Sequence, residues 1–143
     1  MVSEIRQGFD RYWADRVPGM VEFARYVLNN DTDFNYTIRL FLRDISVDSK
    51  VLDVGTGVGL VAIEMARMGF EVKAMDCVPE AIDAAKELSQ KMEVSVDYIL
   101  GDVTHPDLPK GSFDIIIARN CVWNLEDPKT AYSNWRGLLR PGG

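Results

Sequence analysis

Histidine occurs once in this chain, as His105, and cysteine twice, as Cys77 and Cys121. So few ligating residues form neither a disulfide framework nor a zinc cluster. A histidine-based metal site, or a Ser/Cys–His nucleophile, would rest on His105 alone. Long hydrophobic runs are missing too: the longest apolar stretches are strand-sized, far below the ~20 residues that span a bilayer. The start, Met1-Val2-Ser3-Glu4-Ile5-Arg6-Gln7, lacks the basic-then-apolar profile of a signal peptide. A soluble, cytoplasmic chain is expected, with no membrane partner. Positive charge is in deficit, with 16 Lys and Arg against 22 Asp and Glu for a net charge of −6. That sign disfavours non-specific binding to nucleic acid or an anionic membrane.

What is present is apolar material in good supply, 47% of 143 residues, at a length typical of one domain. No repeat, low-complexity run or long linker divides it. About residues 3–45 read as helices. Ile5, Phe9, Tyr12, Trp13 and Arg16 recur at helical spacing, Pro18-Gly19 breaks the pattern, and helices over Met20–Leu28 and Phe34–Asp44 flank a turn at Asn29-Asn30-Asp31. From residue 50 the rhythm becomes strand, loop, helix. Strands are expected at Val51–Val54, Glu71–Asp76, Ser95–Leu100 and Phe113–Ala118, the last apolar enough to be buried on both faces.

Helices are expected from Leu60 to Met68, stopped by Gly69, from Pro79, and from Asp127-Pro128. Glu64 and Arg67, three apart, are placed on the solvent side of the first. Ala81, Ala85, Leu88 and Met92 form the buried stripe of the second, and Ala131, Trp135 and Leu138 that of the third. Such alternation indicates an α/β fold, a parallel sheet with helices on both faces. Residues 1–48 are read as a helical cap and 49–143 as the core of one structural domain.

Right-handed crossovers put the loops after the strands on one edge of the sheet, where open α/β folds bind ligands. The loop after the first strand is Gly55-Thr56-Gly57-Val58-Gly59. The dinucleotide fingerprint G-x-G-x-x-G would need glycine at Leu60, and no Gly-Lys-Ser/Thr closes a P-loop. Asp53, just before the first glycine, would repel a pyrophosphate and attract a cationic group. Asp76, ending the second strand, can accept both hydroxyls of a ribose, and Asp102, ending the third, an exocyclic amine. A nucleoside that also carries positive charge fits these three.

The segment Val51-Leu52-Asp53-Val54-Gly55-Thr56-Gly57-Val58-Gly59 resembles the first motif of class I S-adenosylmethionine-dependent methyltransferases. The resemblance continues through Met75-Asp76, Gly101-Asp102-Val103, Phe113–Asn120 and Leu138-Leu139-Arg140-Pro141-Gly142-Gly143. Tyr12-Trp13-Ala14-Asp15-Arg16 is similar to the N-terminal segment of small-molecule members.

The resemblance implies a Rossmann-like fold and methyl transfer from S-adenosylmethionine to a small-molecule acceptor, leaving S-adenosylhomocysteine. It implies Asp53 near the methionine ammonium, with Gly55, Thr56 and Gly57 in the loop along the amino-acid portion. Asp76 would hold the ribose, with Cys77 and Val78 near the adenine. Asp102 would bond the adenine amine with Val103 beside the ring, and Arg119 and Asn120 would face the methyl end. Met20 stands where many relatives carry tyrosine.

The family's sheet has seven strands, so ending at Gly143 implies that the fifth to seventh are missing from this chain. The fourth strand would then be an edge, and a homodimer is expected. Two other readings stay open: an S-adenosylmethionine-binding remnant without turnover, and an NAD-dependent oxidoreductase, which Leu60 and Asp53 disfavour. Arg119-Asn120-Cys121-Val122 lacks the Asn/Asp-Pro-Pro-Tyr pattern of base-modifying amino-methyltransferases. No general base stands out. Cys77 and Cys121 would follow strands two apart, about 10 Å, too far for a disulfide. They are read as inert, His105 as exposed, and Trp123 as lining a substrate pocket or packing.

Overall fold

Lys50–Val54 (β1) is the hub of the sheet because its alternate side chains enter two different cores. In the computed structural model, which describes residues 4–143, Val51 packs with Val61, Ala62 and Met65 on one face. Leu52 and Val54 pack with Ala131, Trp135 and Leu138 on the other. β1 pairs in parallel with Glu71–Asp76 (β2) on one side and Ile115–Ile117 (β4) on the other. Asp97–Leu100 (β3) adds in parallel outside β2, giving the order β3-β2-β1-β4.

The helices are α1 (Glu4–Ala14), α2 (Val17–Asn30), α3 (Asp33–Leu42), α4 (Leu60–Arg67), α5 (Pro79–Lys91) and α6 (Pro128–Leu138). α4 lies against one sheet face and α6 against the other, while α1 and α2 pack with α5 and the start of α4. No helix among the described residues is long and apolar enough to cross a membrane. The expected architecture, a parallel α/β sheet covered on both faces and preceded by helices, is therefore the one observed.

Several local expectations are corrected. The break expected at Pro18-Gly19 falls earlier, at Asp15-Arg16, between α1 and α2; Pro18 instead occupies the first turn of α2, where its missing N–H has no intrahelical partner to lose. α2 also runs to Asn30, so only Asp31, at φ 46°, remains of the expected turn. The third strand starts at Asp97, not Ser95, and the fourth keeps only Ile115–Ile117 of Phe113–Ala118. Its three isoleucines are half-buried rather than buried on both faces. As the outer strand, β4 is covered on one edge only, apart from an isolated parallel bridge between Phe113 and Leu139.

Glu64 is not on the solvent side of α4 but buried, at 2% exposure. α3 covers it. Asn35, held at the helix start by accepting the Thr32 N–H at 2.8 Å, donates to Glu64 Oε2 at 3.0 Å. Arg39 and Arg67 approach the same carboxylate at 3.5 and 3.8 Å. Of the face expected on α1, Phe9 and Trp13 are half-buried and Tyr12 is exposed; the Ile5 side chain, like Met1–Ser3, lies outside the described residues.

Candidate functional site

The sheet delivers its strand ends to one cleft of about 1080 Å³, and all ten residues singled out from the sequence line it. Asp53, Gly55, Thr56 and Gly57 come from β1 and its loop, Asp76 and Cys77 from the end of β2, Asp102 and Val103 from beyond β3. Arg119 and Asn120 follow β4, Asn120 at φ 56°.

The loop after β1 requires glycine for two reasons. Gly55 and Gly57 have φ of 69° and 56°, left-handed values that disfavour a side chain. They are also crowded: a Cβ on Gly55 would overlap the Cβ of Cys121, and one on Gly57 would sit 2.8 Å from Met20 Cε. At these two glycines the loop brings bare backbone to the cleft wall. Its position is set by β2, since Met75 O accepts both the Gly55 and the Thr56 N–H, at 2.8 and 3.0 Å.

Each carboxylate at the strand ends is oriented by a neighbour. Asp53 is 2% exposed and accepts the Thr56 hydroxyl at 2.7 Å. Burial, aided by the nearby Asp76 charge, pushes its carboxyl up to about 7. Asp76 accepts the Gly57 N–H on Oδ2 at 2.8 Å and the Val78 N–H on Oδ1 at 3.0 Å. Burial raises its pKa as well, against those hydrogen bonds. The Cys77 N–H bonds Asp76 too, and since a carboxylate offers about four acceptor sites, Asp76 keeps acceptor capacity for a ligand. Asp102 accepts the Thr104 N–H at 2.8 Å and meets His105 Nδ1 at 3.3 Å.

His105 is exposed and Trp123 is 70% exposed, its ring edge-to-face with Trp13 at 6.1 Å. Cys121 donates to Val54 O at 3.3 Å, and burial pushes its thiol up to about 11, which suppresses the reactive thiolate. Neither cysteine is in a disulfide.

The cleft has a second wall that sequence reading missed. Phe9, Asp10, Trp13, Val17, Met20 and Phe23, from α1 and α2, face the strand ends across it. A signal was present: positions 10 and 13, three apart on α1, share one helical face. An acid on that face nevertheless reads as solvated until a second wall is known to lie opposite.

Residues 52–143 match a family described as methyltransferase domain. Over 96 residues the chain is 36% identical to the ubiquinone biosynthesis O-methyltransferase of Xanthomonas campestris, covering 66% of this chain and 40% of that protein. The Pectobacterium atrosepticum protein of that name is 34% identical over 95 residues, covering 66% and 39%. This chain thus spans about 40% of the length of these curated relatives.

Two solved structures share the fold. A SAM-dependent methyltransferase from Aquifex aeolicus is 20% identical with a TM-score of 0.72, covering 90% of this chain and 68% of that one. A Methanococcus maripaludis protein, described as a candidate methyltransferase dependent on S-adenosyl-L-methionine, is 19% identical with a TM-score of 0.82, covering 91% and 60%.

Proposed function

This chain belongs to the methyltransferase-domain family, and we propose that it binds S-adenosylmethionine at the strand ends for methyl transfer to a small molecule. The observation that carries the proposal is the convergence of the glycine loop with Asp53, Asp76 and Asp102 on one cleft. The family implies use of S-adenosylmethionine, and the residues fit it. Two carboxylates with raised pKa stand beside a loop that is bare at Gly55 and Gly57, and the nearest alternative, a pyrophosphate-bearing dinucleotide, would meet ionised Asp53 as a repulsive charge.

When bound, the cofactor supplies an electrophilic methyl group. The chain's own contribution is placement and exclusion of water. In this reading Asp76 accepts the ribose hydroxyls, held in position by the Gly57 and Val78 amides. Asp53 faces the ammonium and Gly55, Thr56 and Gly57 follow the amino-acid portion. Asp102 takes the adenine amine, with Cys77 and Val103 beside the ring. Arg119 and Asn120 lie toward the methyl end. Trp13 and Trp123, whose rings meet edge-to-face, line the same cleft and would help exclude water from the reacting groups.

The half-covered β4 edge supports self-association of the 143-residue chain as a homodimer, because unpaired strand edges recruit other strands; sedimentation at micromolar concentration checks it, and a clean monomer refutes it. The cofactor assignment is tested by calorimetric titration with S-adenosylmethionine, S-adenosylhomocysteine and NAD. Binding of the first two and not the third is expected; preference for NAD overturns it.

A further inference from the structure

β3 ends at Leu100, and the chain that carries Asp102 and Val103 into the cleft lies outside helix and strand. Among the described residues, no backbone–backbone hydrogen bond reaches Val103 to Leu108. A connection without a ladder of its own leaves its peptide groups to other partners. Here the partner is α6. The Trp135 indole donates from Nε1 to Val103 O at 2.7 Å, and the Asn134 amide donates from Nδ2 to Thr104 O, also at 2.7 Å. Further along, the N–H groups of Gly111 and Ser112 donate to the carbonyls of Gly137 and Leu138, at 3.1 and 2.9 Å. The connection from β3 to β4 is thus tied to α6 near both its ends.

The bond from Trp135 reaches Asp102 through a single rigid unit. Val103 O and the Thr104 N–H belong to one peptide group, which is planar. Trp135 holds the oxygen end of that plane, and the hydrogen end donates to Asp102 Oδ1 at 2.8 Å. Turning the plane breaks both bonds together. Asn134 holds the oxygen of the next plane, between Thr104 and His105, and His105 Nδ1 meets Asp102 Oδ2 at 3.3 Å. The anchor is firm, because Trp135 is 4% exposed in the core that also holds Val103. Releasing its N–H there would leave a buried donor unsatisfied.

We infer that Trp135, with Asn134 beside it on α6, is a positioning residue for recognition of the cofactor's base. It holds the Val103–Thr104 peptide so that Asp102 keeps its carboxylate toward the exocyclic amine of the adenine. The inference rests on the methyl-transfer reading above and deepens it. Neither Trp135 nor Asn134 is among the residues that line the cleft, so a share of the base specificity lies in a helix that does not touch the base.

The test uses the full chain and two ligands that differ at that amine alone: S-adenosylhomocysteine and its analogue with hydrogen in place of the exocyclic amine. Calorimetry is expected to show the first binding about tenfold or more tighter than the second, because only the first offers a carboxylate a charge-assisted bond. Asp102→Ala is expected to narrow that ratio to within about twofold on the same grounds. Trp135→Phe and Asn134→Ala each remove one donor from α6 and leave Asp102 in place. Both are expected to narrow the ratio to about threefold or less, as a misdirected carboxylate loses most of that bond. Asn134 is half-buried, so its variant keeps the core intact even where Trp135→Phe fails to fold.

A purely structural role would lower the ligand-free unfolding midpoint and both affinities together, and would leave the ratio where it was. A ratio that keeps its unaltered value in either folded variant therefore overturns the inference. Two other failures are distinguishable from this one, and the inference falls with each. If the unaltered chain does not bind S-adenosylhomocysteine, the methyl-transfer reading itself is overturned. If Asp102→Ala leaves the ratio unmoved, or the unaltered chain binds both ligands equally, the assignment of Asp102 to the amine is overturned.

Discussion

The backbone N–H of Gly57 donates to Asp76 Oδ2 at 2.8 Å, tying the loop after the first strand to the end of the second. A side chain assigned to the ribose therefore also holds the loop assigned to the amino-acid portion. Asp76→Ala removes both at once. Loss of a hydrogen bond to a charged group costs about 1.5–3 kcal/mol, so cofactor affinity is expected to fall about 10- to 100-fold. Calorimetry with S-adenosylhomocysteine checks this, and unchanged affinity would take Asp76 out of the site.

Asp53 makes binding depend on pH. Its carboxyl, raised to about 7 by burial and by Asp76, is protonated below that value, whereas an ammonium favours the ionised form. Affinity for S-adenosylhomocysteine is expected to weaken as pH falls through about 7, with Asp76 acting in the same sense because its pKa is raised too.

For the ligand-free fold the sign reverses. Between 3.8 and about 7 the folded state keeps a proton on Asp53 that the unfolded chain has lost, so this group's contribution to stability declines as pH rises across that window. Asp53→Asn should flatten both profiles, and should weaken S-adenosylhomocysteine more than adenosine. Parallel losses for the two ligands would place Asp53 away from the ammonium.

Gly55→Ala combines two costs. The left-handed φ of 69° disfavours the new methyl, and that methyl overlaps Cys121 Cβ. Backbone strain of about 1 kcal/mol and overpacking of about 1–3 kcal/mol predict a loss of roughly 2–4 kcal/mol in urea unfolding. Cys121→Ala should not rescue it, because the overlapping Cβ remains; rescue would locate the conflict at the sulfur, 2.9 Å from the added carbon.

Glu64→Ala leaves the Asn35 amide without its acceptor and two guanidiniums without their shared carboxylate. Breaking a buried pair costs about 3–5 kcal/mol. Arg39 and Arg67 are partly exposed, so about 2–3 kcal/mol is expected here. A denaturation midpoint within error of the unaltered protein would show that water replaces the network freely.

Elements governed by local pattern were legible in the chain. β2 spans Glu71–Asp76 and α5 starts at Pro79, as alternation and the proline position indicate. The glycine spacing and the acids at strand ends located one wall of the cleft, because right-handed crossovers send every such loop to one edge. Burial and pairing were less legible. Arg67 and Glu64 have the same i,i+3 relation on any helix, and it was the arrival of α3, with Asn35 and Arg39, that drew Glu64 inside.

The sequence by itself determined which segments become strands and helices, and that the loop after β1 carries no side chains at its glycines. Periodicity and backbone freedom are properties of neighbouring residues. Only the tertiary structure decided that β4 would shorten to three residues on an edge, that α1 would meet the 122–124 turn through Trp13 and Trp123, and that Asp10 would line the same cleft as the strand ends. Desolvation and strand pairing depend on groups far apart in the chain, and no local pattern encodes which of them will meet.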